Sequence, residues 1–278
     1  MADDSLSRRS LLRLDFGRGQ PAARPDPGPV KAGLAWRWEV GAAALHRAWE
    51  PLAAVVCDVA AVAPGERVLD AATGDGNVAL EAARRGARVS ACDLSPAQLE
   101  RARERPGADG VDWVTADVEA LGDADSSFDT VLSVYGATLA PRPRRTVREL
   151  LRVLRPGGLL VLAAPGPRSL LAGVLALAQD GPGALPHGVP SPAAWGREDV
   201  AMRRIEAVAP GTEVEVRHHP LALGFESEAA AWDAFSGPFG VAEAARDAFA
   251  DLVAARSDSL ARVEMDELVT LVLGRRAG

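Results

Sequence analysis

With 278 residues, 48% of them hydrophobic, the chain can bury a sizeable core as one large α/β domain or two small ones. Its 31 basic and 38 acidic side chains leave a formal charge of −7, which opposes a broad footprint for a nucleic-acid backbone or an anionic membrane and leaves a small molecule as the expected partner. Two cysteines, Cys57 and Cys92, are too few for a zinc cluster or a disulfide framework, so we expect buried thiols in a reducing cytoplasm and no metal site.

Residues 1–29 read as a disordered tail. Ser7-Arg8-Arg9-Ser10-Leu11-Leu12-Arg13 has the outline of a twin-arginine export signal. Asp15, Arg18, Gln20 and the run from Pro21 to Pro29 then stand where an apolar segment and a small-residue cleavage site belong. Residues 30–62 are expected to form cap helices: Trp36, Val40, Leu45, Trp49, Leu52, Val55, Val56 and Val59 recur at near-helical spacing, broken by Pro51. Pro64-Gly65-Glu66 punctuates, and an alternation of strand and helix follows. Strands are predicted over Arg67 to Ala72, Ala87 to Cys92, Val111 to Thr115, Phe128 to Val134 and Leu159 to Ala163. The helices between them run Asn77 to Arg85, Pro96 to Arg105 and Arg142 to Leu154. Repeated βα units with short apolar strands predict an α/β fold, a Rossmann-like doubly wound sheet, mostly parallel, with helices on both faces.

After Ala164 the rhythm changes. Residues 165–278 are read as a substrate-cap insertion, further helices and the final strands. A short apolar helix, Leu170 to Ala178, enters a Pro/Gly-rich loop of the kind that serves as a lid or binding segment. Helices over Glu198 to Val208, Ser227 to Phe235 and Val241 to Ala255 are interleaved with strands over Thr212 to Phe225 and Asp266 to Gly274, which would finish the sheet as a late antiparallel pair. The apolar run near Leu170 is about half of what a bilayer needs.

The chemistry is concentrated in residues 63–164. Val68-Leu69-Asp70-Ala71-Ala72-Thr73-Gly74-Asp75-Gly76-Asn77 is a strand that turns through glycines into a helix, where backbone amides face whatever sits above them. A Gly-x-Gly-x-x-Ala reading of Gly74 to Ala79 also fits a dinucleotide fingerprint. Asp70 separates the two readings, since a carboxylate there repels a pyrophosphate and attracts an ammonium or sulfonium group. Asp93, at the end of the next strand, can accept from both ribose hydroxyls, and Asp117, after the third, from an exocyclic adenine amine.

Asp70 through Gly76, Asp93, Asp117, Phe128-Asp129 and Leu154-Arg155-Pro156-Gly157-Gly158 resemble the class I S-adenosylmethionine-dependent methyltransferases, closest to the ubiquinone/menaquinone C-methyltransferase-like group. The resemblance spans Val62 to Ala164 and departs from the family at Ala72, where Gly is usual. It implies S-adenosyl-L-methionine as cofactor, with Asp70 and Gly74 at the methionine end, Asp93 at the ribose, and Asp117 with Val118 at the adenine. Val134, Tyr135 and Gly136 would lie beneath the sulfonium. Ala72, Gly76 and Leu94 complete the expected contact set.

Methyl transfer is an in-line displacement at an activated carbon, so alignment and exclusion of water outweigh acid–base chemistry. Where a base is needed, the candidates are Tyr135, His46, His187, His218 and His219, and we single out Tyr135 and the loop residue His187 as catalytic candidates. Tyr135 doubles as an aromatic wall for a cation. A hydrophobic pocket capped by Trp36, Trp38 and Trp195 is expected, shaped by the Trp36 to Trp49 helix, the Leu170 to Trp195 insertion and the helices after Ser227. Competing readings are a non-catalytic S-adenosylmethionine-binding sensor or partner protein and an NAD(P)-dependent oxidoreductase.

Overall fold

The computed structural model describes residues 27–277 except 258, 260 and 261. The tail expected over residues 1–29 therefore lies largely outside the described residues, and its last part is corrected. Pro27, Gly28 and Pro29 open helix α1 (Pro27–Gly41), as proline's fixed φ and missing donor allow in a first helical turn. The chain breaks at Ala42 and enters α2 (Ala43–Val59), so the interruption is not at Pro51, which sits on an exposed position inside α2. Leu45, Trp49, Leu52 and Val56 form the buried stripe of α2 at helical spacing.

The alternation then runs β1 (Arg67–Ala71), α3 (Asn77–Arg84), β2 (Arg88–Asp93), α4 (Pro96–Arg103), β3 (Val111–Thr115) and β4 (Phe128–Val134). A short α5 (Gly136–Leu139), α6 (Pro143–Val153) and β5 (Leu154–Pro165) complete it. Beyond come α7 (Leu170–Leu177), α8 (Glu198–Glu206), β6 (Glu213–Phe225), α9 (Glu228–Phe239), α10 (Arg246–Ala254) and β7 (Val263–Arg275). The strands form one seven-stranded sheet in the order β3-β2-β1-β4-β5-β7-β6. Strands β1 to β5 are parallel, and β7 runs antiparallel between β5 and β6. Chain order reverses between β1 and β4, the place where open α/β sheets leave a crevice at the carboxyl ends of their strands.

Successive residues of a strand serve different cores, because a sheet covered on both faces sends neighbouring side chains opposite ways. In β5, Leu160 and Leu162 join Val147 and Leu150 of α6 and Ile205 of α8, while Val161 and Ala163 join Leu52 and Val56 of α2 and Val174 of α7. The Leu154-Arg155-Pro156-Gly157-Gly158 segment is part of β5 and shifts the register against β4 between Phe128 and Thr130. Asp129 pins that irregularity, accepting from Arg67 Nη2 at 3.3 Å and Arg155 Nε at 2.6 Å. Hydrogen bonding to Arg67, then to Arg155, holds its carboxyl down at about 2. Cys57 and Cys92 are free and buried, their thiols pushed up to about 12 by burial, so they act as apolar fillers. Among the described residues no helix is long and apolar enough to cross a membrane, and none forms a group of His, Cys, Asp and Glu that could hold a metal.

Candidate functional site

The crevice above β1 and β4 is a single cleft whose mouth and interior together hold about 1090 Å³. Asp70, Asp93 and Asp117 all line it, as do Ala72, Gly74, Leu94, Val118, Val134 and Tyr135. Of the expected cofactor contacts only Gly76 is absent from the lining. Its φ is +92° and a β-carbon there would stand 2.6 Å from the Trp113 ring, so Gly76 lets the turn pack inward rather than face a ligand. Gly74 is the residue that opens the cradle: at φ +60°, a β-carbon would stand 3.1 Å from His46 Nε2.

Each acid is built into the loop it serves. Asp70 is 1% exposed, and its Oδ2 accepts from Thr73 Oγ1 at 2.5 Å and from the Ala79 amide at 2.9 Å, tying β1 to the start of α3. Asp93 accepts from the Gly74 amide at 2.8 Å and from the Ser95 amide at 2.9 Å. Asp117 accepts from the Glu119 amide at 2.9 Å and pairs with the ammonium of Lys31, the only lysine. An ionised carboxylate offers about four lone-pair sites, so these bonds leave capacity at Asp93 and Asp117 for ligand hydroxyl and amine donors. Burial raises the carboxyls of Asp70, to about 7, and of Asp93, against the donors that pull them down. No Lys or Arg among the described residues is paired with either. Two buried acids that no Lys or Arg neutralises suit a positively charged ligand.

The Asp70 shift has a sign that can be measured. A carboxyl whose folded value of about 7 exceeds its ordinary 3.8 contributes stability that is complete below about pH 4 and is lost as pH rises through 7. Asp70→Asn keeps an acceptor for Thr73 and Ala79 without that loss. Thermal melts of the ligand-free protein are expected to show the variant gaining on wild type between pH 4 and 7, and holding the gain above. A difference independent of pH would mean that Asp70 is not the titrating group.

The other wall is aromatic and apolar. Trp38 of α1, Trp49 of α2 and Tyr135 at the end of β4 line it with Leu34 and Leu139. The Trp49 and Tyr135 rings lie 4.6 Å apart. Tyr135 holds φ +59°, rare for a side-chain-bearing residue, and its carbonyl accepts from the Thr138 amide and hydroxyl. Its hydroxyl is buried with no partner. Burial, then the Glu267 carboxylate, holds the phenol well above its usual 10, so at neutral pH it is a donor and not a base.

Helix α1 closes the cleft from above. Lys31 also pairs with Glu119 at 2.5 Å, a fully buried acid anchored by Arg142 at 2.6 Å. Ser95 donates to Glu39 at 2.8 Å, and Gln98 donates to the Trp38 carbonyl at 2.8 Å. The remaining expectations meet corrections. Trp36 is 66% exposed and outside the lining. Trp195 is 1% exposed in the core between β5 and α8, with the Arg204 guanidinium 4.5 Å from its ring. His187 stands exposed on a turn outside the lining, because its loop packs away from the crevice. His218 contacts Thr270 at 3.2 Å on the edge strand β6, and His219 is in the same strand. Among the described residues the lining ends at Pro141, so the Leu170 to Trp195 insertion and the helices after Ser227 contribute none of it. They brace the wall instead, Phe239 of α9 meeting Trp38 edge-on at 5.5 Å. Sequence reasoning did not separate His46 from the other histidines; the usable signal was its i, i+3 spacing from Trp49, which puts both on one helix face.

Residues 69–162 match the family model described as a methyltransferase domain. An uncharacterized protein of Mycobacterium bovis is 39% identical over 166 residues, 58% of this chain and 61% of its own length. The demethylmenaquinone methyltransferase of Clavibacter sepedonicus is 44% identical over 110 residues, 38% of this chain and 45% of that protein. The chain thus covers less than two thirds of these curated relatives. Among solved structures, the YcgJ protein of Bacillus subtilis superposes with a TM-score of 0.61 at 18% identity, covering 81% of this chain and 98% of that one, which shows the shared fold.

Proposed function

We propose that this chain, whose residues 69–162 match a methyltransferase domain, is a class I S-adenosylmethionine-dependent methyltransferase that methylates a small apolar acceptor held in the aromatic chamber beside its cofactor. The observation that carries the reading is the meeting, in one cleft, of three strand-end acids and the Trp38, Trp49 and Tyr135 wall. The donor set fits the cofactor: Asp70 and Asp93 buried with no Lys or Arg paired to them, free acceptor capacity at Asp93 and Asp117, and a cradle at Gly74 that a β-carbon would fill.

Bound S-adenosylmethionine supplies a methyl group already activated on a sulfonium. Asp93 takes the ribose hydroxyls and Asp117 the adenine amine; Trp49 and Tyr135 wall the reacting space against water and orient the acceptor. Residues 30–62 act as the cap, residues 63–164 as the cofactor core, and residues 165–278 as its brace. The test is incubation of the full chain with labelled S-adenosylmethionine and a panel of small apolar acceptors, read by mass spectrometry. A defined methylated product supports the reading. Tight binding of S-adenosylhomocysteine without turnover across the panel supports a sensor, and binding of NAD in its place supports an oxidoreductase.

Tyr135→Phe tests the hydroxyl. An unpartnered buried polar group costs roughly 1–3 kcal/mol, so the variant is expected to melt at or above the wild-type temperature, with unchanged cofactor affinity and kcat lowered about tenfold. An unchanged kcat would leave Tyr135 as a wall alone.

A further inference from the structure

Four carboxylates line the cleft, those of Asp70, Asp75, Asp93 and Asp117, against two basic side chains, Lys31 and His46. A ligand that brings its own α-carboxylate to the Gly74 turn meets negative charge on several sides and needs a donor there. Lys31 is engaged at the other end by Asp117 and Glu119. His46 is the basic group over the turn. Its ring is stacked on Trp38 at 5.8 Å and 20°, its carbonyl accepts from Asn77 Nδ2 at 2.7 Å, and its Nδ1 lies 3.2 Å from Asp75 Oδ2.

The support behind His46 is itself fixed. Arg105 Nη1 lies 3.3 Å from Asp75 Oδ1 and donates to Asn77 Oδ1 at 2.6 Å, closing a ring of contacts from α2 through the β1 loop to the end of α4. Burial works against an ionised Asp75, but the adjoining His46 ring and the charges of Arg105 and Arg101 hold its carboxyl below the usual range. The Asp93 carboxylate of β2 also lies within electrostatic reach of the imidazole. His46 Nε2 makes no hydrogen bond among the described residues and stands over Gly74, on the cleft side.

We infer that His46, oriented by Asp75, presents its Nε2–H to the α-carboxylate of the cofactor's methionine moiety. The inference rests on the methyl-transfer reading. Asp75 stands 3.2 Å behind Nδ1 and the Trp38 ring is stacked on the imidazole, and these two neighbours fix the direction in which Nε2 faces the cleft. His46 is then a cofactor-binding residue that gives the carboxylate end a fixed position.

Calorimetric titration of the full chain with two ligands tests it: S-adenosylhomocysteine, which carries the carboxylate, and 5′-deoxy-5′-methylthioadenosine, which keeps the nucleoside and the thioether but lacks it. His46→Ala is expected to weaken S-adenosylhomocysteine about tenfold or more and leave the shorter ligand unchanged. His46→Gln, which keeps a donor and most of the packing, is expected to recover part of the loss, with melting curves showing that both variants are folded. Equal weakening of both ligands would make His46 a packing residue and overturn the inference, as would no weakening of either. Failure of S-adenosylhomocysteine to bind the wild-type protein would instead remove the cofactor reading itself.

Discussion

Asp93→Ala is expected to cut the affinity for S-adenosylhomocysteine by about a hundredfold or more while leaving a folded protein. Two losses combine. Hydrogen bonds to a charged group contribute roughly 1.5–3 kcal/mol each, so removing an acceptor shared by two ribose hydroxyls costs about 3–6 kcal/mol, on the order of a hundredfold to ten-thousandfold. The same truncation releases the Gly74 and Ser95 amides, now held at 2.8 and 2.9 Å, and with them the shape of the turn. Asp93→Asn keeps an acceptor for one of those amides and should fall between the two. Calorimetric titration reads the effect, with a melt as the check on folding. An affinity within threefold of wild type would place the ribose elsewhere.

Trp195→Ala is expected to cost about 3–5 kcal/mol of stability, the usual range for emptying a large aromatic site in a core. For a chain of this size that is on the order of 10 °C in melting temperature. The ring is 1% exposed among Leu160, Leu162, Ala201 and Ile205. Its loss also strips the partly buried Arg204 guanidinium, lowered to about 10 by burial, of the face it covers at 4.5 Å. Measured well below the transition, cofactor affinity should not change, because Trp195 does not line the cleft. A preserved melting temperature with weakened acceptor binding would return Trp195 to the pocket.

Much of the site was legible before any coordinates. Asp70, Asp93 and Asp117 each follow a short apolar run, and a parallel sheet necessarily brings the carboxyl ends of such runs to one edge. The Trp residues were not legible in the same way. Trp36 and Trp38 are two positions apart and therefore near opposite sides of α1; Trp38 lines the cleft and Trp36 faces solvent. Their local sequence carries no mark of which side α9 and α4 would cover. His187 misled because a Pro/Gly-rich loop announces that it is a loop, not where it lies.

The sequence by itself determined the βα alternation, the placing of three acids at strand ends and the Gly74 cradle, because strand period, turn chemistry and helix starts are set within a few residues of chain. Only the tertiary structure decided that β7 enters between β5 and β6, that Lys31 reaches Asp117 and Glu119, and that His46 stands over Gly74 with Asp75 behind it. Those pairings join segments far apart in the chain. Which of them form depends on how all the apolar faces pack at once, and no local pattern encodes that.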